Sequence, residues 1–193
     1  MRTIVLAIGA TAIILATPHA RAETSVTNIG TSPLAACAAA ASEAKRTGAG
    51  TRFELETCDR AIETWPSPPA NVAISYINRS VVHIARGETA AAIADANRAI
   101  RLNGTLAEAY LDRAIALSTD NRPTEAIPDF DRAIELNVRQ PELAYFDRAI
   151  ELEDCGDIKD AYFDYRRAAE LNPAWDKPRQ QLARFTVVRN VSS

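Results

Sequence analysis

The chain repeats itself. Tyr76, Tyr110 and Tyr145 stand 34 and 35 residues apart. Six further columns keep the same steps: Arg79, Arg113 and Arg148; Ala92, Ala126 and Ala161; Asp95, Asp129 and Asp164; Ala99, Ala133 and Ala168; Leu102, Leu136 and Leu171; Asn103, Asn137 and Asn172. The extra residue of the second step falls at Pro141. A unit of this length cannot bury its apolar face alone, so neighbouring units must stack. Alanine is abundant, glycine is scarce at seven residues, and only 6% of residues are aromatic. That balance favours helices over strands.

Each unit reads as two helices joined by a short turn: Arg86-Gly87-Glu88, Asp120-Asn121-Arg122 and Cys155-Gly156-Asp157. Small residues at Ser80, Ala114 and Ala149 are expected to face Ala92, Ala126 and Ala161, because close helix approach needs small side chains. Phe130 and Tyr165 are expected to wedge against the next turn. Pro123 suits a first helical turn, where its missing N–H is no loss. Pro128 removes a bond to the Thr124 carbonyl and is expected to kink or loosen its helix.

The pattern resembles the tetratricopeptide repeat. The best-matching unit carries Tyr145, Ala149, Leu152, Ala161, Tyr165 and Pro173. The unit before it offers Tyr110, Ala114, Leu117, Ala126 and Phe130, with Val138 in place of the proline. The first is more divergent, with Tyr76, Ser80, His83, Ala92 and Ala96. The resemblance spans about residues 73–174. It implies an all-α fold, a right-handed α-solenoid of antiparallel helical hairpins, with units at 73–106, 107–140 and 141–175.

The flanks extend this plan. Residues 33–64 read as a degenerate preceding hairpin, with Gly48 and Gly50 at its turn; its Asp59-Arg60-Ala61-Ile62 matches Asp131-Arg132-Ala133-Ile134. Residues 65–72, containing Trp65-Pro66-Ser67-Pro68-Pro69, read as a rigid connector. Residues 176–187 read as a C-terminal capping helix, whose Arg179, Gln180, Gln181 and Arg184 give the polar outer face a solenoid end needs. Residues 23–32 and the tail 188–193 are expected to be loose.

Residues 1–22 have the form of a secretory signal peptide. Arg2 is followed by the 14-residue apolar run Ile4 to Thr17 and by Ala20-Arg21-Ala22. The run is shorter than the ~20 residues a spanning helix needs, so no membrane span is expected in the mature chain. Cleavage before Glu23 removes Arg2 and Arg21 and takes the net charge from −3 to −5, since 20 basic residues then face 25 acidic ones. The implied location is the periplasm, with the extracellular space second.

Export permits disulfides. Of three cysteines, Cys37 and Cys58 fall on the two helices of the first hairpin and form the natural pair. Their bridge closes a loop of about 20 residues, worth ~3 kcal/mol by chain entropy. Cys155 is left over at the last repeat turn, either inert or available to join two chains.

Little points to catalysis. The two histidines include His19, inside the leader, which leaves His83 at a position where the repeat packs a large side chain. Ser118 and Thr119 have nothing around them that suggests an activated nucleophile. Paired metal-ligand spacing and a glycine-rich phosphate loop are both missing. No enzyme activity, metal or cofactor is expected. The acidic balance speaks against nucleic acid as a partner. The arginine column is more pointed. Each of Arg79, Arg113 and Arg148 has an aspartate 16 residues on, one on each helix of its unit. The constant offset predicts an ion-pair ladder between helices or adjacent repeats, valuable for register more than for net stability.

The resemblance also implies a concave groove on the first helices that binds a protein or peptide. Its positions here are Ile74, Ile77, Val81 and Ile84; Glu108, Leu111, Ile115 and Ser118; and Leu143, Phe146, Ile150 and Glu153. The groove is expected to have an apolar floor with acid at its far end. Ile77, Leu111 and Phe146 are expected to align as a partly exposed wall. Family members that clamp a carboxylate tail use lysine, asparagine and arginine; here Ile77 and Val81 replace two of these and Glu108 has the wrong sign. The expected role is an exported binding module or scaffold. The alternatives are a self-associating structural protein that buries the same face in a homodimer, and an accessory subunit of a cell-envelope complex.

Overall fold

The computed structural model describes residues 32–63 and 67–186. All regular structure among them is helical: α1 (Pro33–Thr47), α2 (Arg52–Glu63), α3 (Pro69–Ala85), α4 (Thr89–Leu102), α5 (Ala107–Thr119), α6 (Pro123–Glu135), α7 (Pro141–Asp154), α8 (Ile158–Leu171) and α9 (Asp176–Leu182). Helices α1 to α8 form four antiparallel hairpins, and α9 packs on α8. First helices α1, α3, α5 and α7 also meet one another along the stack. The leader 1–22, nearly all of 23–32 and the tail 188–193 lie outside the described residues.

Local chemistry sets the helix ends. Prolines open α1, α3, α6 and α7, where a missing N–H leaves no bond unmade. Ser32 Oγ accepts from the Ala35 amide at 3.2 Å and caps α1. The three repeat turns each place one residue in the left-handed region: Gly87 at φ 73°, Asn121 at 58° and Gly156 at 86°. Each turn then closes the same way. The amides of Glu88, Arg122 and Asp157 donate to the carbonyls of His83, Leu117 and Leu152 at 2.8–3.0 Å. This six-to-one closure uses up carbonyls that a helix end would otherwise strand. Asn137 at φ 58° and the Val138 amide repeat the device between α6 and α7.

Small side chains make the crossings. Ser80, Ala114, Ala149, Ala92, Ala126 and Ala161 are all fully buried. Phe130 and Tyr165 are the large side chains buried between helices. Val138, where the family carries proline, is buried beside Phe130 and Ala133 and contributes apolar packing instead. The Cys37–Cys58 disulfide joins α1 to α2, and Cys155 is free and exposed.

Two boundaries differ from expectation. Helix α3 begins at Pro69, inside the stretch read as a connector, because Pro69 is itself a good first helical residue. Helix α9 stops at Leu182 rather than at 187. Pro128 lies within α6, whose assigned span continues past it to Glu135. No described helix is long and apolar enough to cross a membrane.

The arginine column packs as a ladder. Arg79 donates Nε and Nη2 to Asp95 at 2.7 and 2.9 Å, and Nη1 to Asp59 at 2.5 Å. Arg148 does the same with Asp164 at 2.7 and 2.8 Å and with Asp131 at 2.5 Å. Each arginine therefore holds its own hairpin closed and reaches the second helix of the hairpin before. Each also lies over the tyrosine three residues earlier, 5.4–5.6 Å from the ring centre. His83 joins the first rung, with Nδ1 2.7 Å from Glu88 and Nε2 3.7 Å from Asp95.

Candidate functional site

A cleft of about 360 Å³ opens on the first helices. Helix α1 supplies Ala41, Ser42 and Lys45; α3 supplies Ile74, Ile77, Asn78 and Val81; α5 and the residue before it supply Leu106, Glu108, Leu111 and Asp112. The α6–α7 turn adds Val138, Arg139 and Gln140. The parallel first helices bring matching turns side by side, as the bond from Ser80 on α3 to Asp112 on α5, 32 residues on, shows.

Five expected groove residues meet here: Ile74, Ile77, Val81, Glu108 and Leu111. Ile84, Ile115, Leu143, Phe146 and Ile150 do not line it. The expected exposed wall is not formed, because Ile77, Leu111 and Phe146 are each only 8% exposed. Phe146 packs its ring 5.4 Å from Tyr165 and 4.7 Å from Trp175. Leu111 belongs to the cluster around Phe130, although its edge still reaches the cleft. Ile115 packs against that same cluster. Ile74 and Ile150 remain 37% exposed. Ser118 donates to the Glu151 carboxylate, and Glu153 is taken by Tyr165 and Arg184.

The polar side of the cleft lies in residues that groove positions alone do not reveal. Asn78, Asp112 and Asp147 immediately precede the three ladder arginines, so they form a column of their own, of which Asn78 and Asp112 line the cleft and Asp147 does not. Asp112 is buried and accepts from Ser80 Oγ at 2.5 Å. Burial pushes its carboxyl up to about 7, against the opposing pull of the Ser80 hydrogen bond and of Lys45. Burial also raises Asp147 to about 6, helped by nearby Glu151 and opposed by Lys177 and Lys45. The Asn78 Nδ2 is buried with no hydrogen-bond partner among the described residues. Lys45 Nζ donates to Gln140 Oε1 at 3.2 Å, linking α1 to the α6–α7 turn. Arg139 and Glu108 are 3.9 Å apart at the rim. Among the described residues, no group of three or more His, Cys, Asp or Glu is placed to hold a metal ion.

Residues 107–137 match the family described as Tetratricopeptide repeat. Two solved structures resemble the hairpin stack. The TPR domain of OM64 from Arabidopsis aligns at TM-score 0.56 and 22% identity, over 61% of this chain and 98% of that one. TTC0263, a thermophilic TPR protein of Thermus thermophilus, aligns at TM-score 0.65 and 17% identity, over 80% of this chain and 81% of that one. The described chain has the tetratricopeptide-repeat fold. No curated protein matches the sequence. Within this tetratricopeptide-repeat stack the matched segment is α5, α6 and their turn, the hairpin in which Leu111 and Asp112 sit.

Proposed function

We propose that this protein is an exported interaction module, without enzyme activity, that seats a protein or peptide segment in the cleft between α1, α3 and α5. The observation that carries the reading is the cleft itself. Its apolar lining, with Ile74 37% exposed, is continuous with the core, and its polar groups are of mixed sign. Concave apolar surfaces with a few placed polar groups are the usual form of a binding site. The tetratricopeptide-repeat fold supports a protein or peptide as the ligand, and the Ala20-Arg21-Ala22 pattern supports a location in the periplasm.

Site-specific photocrosslinking in the producing cells tests this. A photoreactive residue at position 74 should give a discrete adduct with another protein in the cell envelope. The same residue at Phe163, exposed on α8, should not. Adducts from position 163 alone would place the binding face elsewhere.

A further inference from the structure

The cleft contains a buried acid with no cation in contact with it among the described residues. Asp112 is 7% exposed and lines the cleft. Its hydrogen-bond partner is the neutral Ser80 hydroxyl, and among the described residues no lysine, arginine or histidine nitrogen comes within 4.0 Å of it. Of the two cations of the rim, Arg139 is 3.9 Å from Glu108, and Lys45 donates to the neutral Gln140 amide and acts on Asp112 only through its field. A carboxylate is costly to bury without a partner charge, and a cation brought to it recovers much of that cost. The accessible apolar walls are Ile74 and Val81, with the edges of Ile77 and Leu111 beneath them, and they suit the aliphatic stem of a long basic side chain.

We infer that the occupant of the cleft is a basic segment, whose lysine or arginine side chain lays its stem on Ile74 and Val81 and sets its charge against Asp112. This rests on the binding role proposed above and narrows the chemistry of the partner. An acidic tail reaching the cleft floor would bring its carboxylate against the buried Asp112, whereas Lys45 and Arg139 stand out at the exposed rim. The Asn78 Nδ2, an unpaired buried donor on the same lining, would be satisfied by a backbone carbonyl of the bound segment.

Three acetylated and amidated peptides test this against the purified protein: Leu-Lys-Ala-Leu-Lys-Ala, its norleucine counterpart and its glutamate counterpart at both lysine positions. Calorimetric titration should show the lysine peptide binding at least ten-fold more tightly than either of the others. Asp112→Asn should remove that preference, leaving the lysine peptide no tighter than the norleucine peptide. Lys45→Met, a change at an exposed residue that does not threaten folding, should tighten the lysine peptide several-fold and weaken the glutamate peptide. The inference is overturned if the lysine peptide shows no advantage, if the glutamate peptide binds best, if none of the three binds, or if Lys45→Met leaves the affinities unchanged. Crosslinking from position 74 together with any of those results would leave the cleft as a binding face and remove only its preference for basic segments.

Discussion

Arg113 grips Asp129 with both arms of its guanidinium, Nε at 2.6 Å and Nη2 at 2.5 Å, across the crossing of α5 and α6. Its remaining nitrogen, Nη1, donates to Asn97 of the preceding hairpin at 2.6 Å. One side chain thus ties a hairpin shut and sets its register on its neighbour. The buried end matters most. Asp129 is only 7% exposed, so losing Arg113 strands a carboxylate. Arg113→Ala should destabilise by about 3 kcal/mol. Asp129→Ala should cost a comparable amount, and the double variant should cost less than the two together, with a coupling of about 1–3 kcal/mol. Urea unfolding of the four proteins measures this, and strictly additive losses would mean that the pair does not interact.

Phe146 and Leu111 behave as core residues. Phe146 sits against Tyr165 and Trp175, and Leu111 against the Phe130 cluster. Phe146→Ser should therefore lower stability by about 3–5 kcal/mol, and Leu111→Ser by about 2–5 kcal/mol. Ile74→Ser, at a residue more than one-third exposed, should cost under about 1 kcal/mol. Thermal melts of the three variants rank them. A near-native melting temperature for Phe146→Ser would mean that its ring is not packed as described.

The contrast between these residues and the ladder shows what the sequence could convey. A repeat makes each structural role visible three times over, so the 16-residue offset of Arg79, Arg113 and Arg148 from their aspartates was enough to place the rungs. It even reached the degenerate hairpin, where Asp59 takes the role of Asp131 as its sequence match suggests. The cleft is different. It depends on how α1, which lacks the repeat pattern, closes over α3, and on the α6–α7 turn folding back towards Lys45. Neither relation repeats. Likewise, repeat position identifies the face that carries Phe146, but not the arrival of Trp175 to cover it.

The Cys37–Cys58 bridge staples the least repeat-like hairpin. Beyond Ala41 and Ala44, few buried apolar side chains hold α1, so the bridge should carry much of the stability there. Its loss through Cys37→Ser with Cys58→Ser should cost about 3 kcal/mol. Non-reducing peptide mapping should find these two linked and Cys155 alkylated. Limited proteolysis of the double variant should cut first around Gly48 to Thr51, the turn of that hairpin. Protection there equal to the wild type would show that packing alone suffices.

Asp112 gives the fold an unusual response to pH. It faces Lys45 from α1, Arg139 from the α6–α7 turn, Glu108 on its own helix, and the uncharged Ser80 and Asn78 on α3. Desolvation holds its carboxyl near 7, against an ordinary value of 3.8. Between those values the folded chain keeps a proton that the unfolded chain has released. The stability this group contributes is thus fully present below about pH 4 and is lost as pH rises towards 7, which is opposite to the usual salt-bridged aspartate. The loss amounts to about 4 kcal/mol at most, for a shift of about three pH units at 1.36 kcal/mol each. Asp112→Asn keeps an acceptor for the Ser80 hydroxyl and removes the titration. The variant should match the wild type within about 1 kcal/mol at pH 4.5 and exceed it by about 2–4 kcal/mol at pH 8, measured by urea unfolding. Parallel stability profiles for the two proteins across that range would show that the Asp112 carboxyl is solvated, and that the cleft floor is wetter than its burial implies.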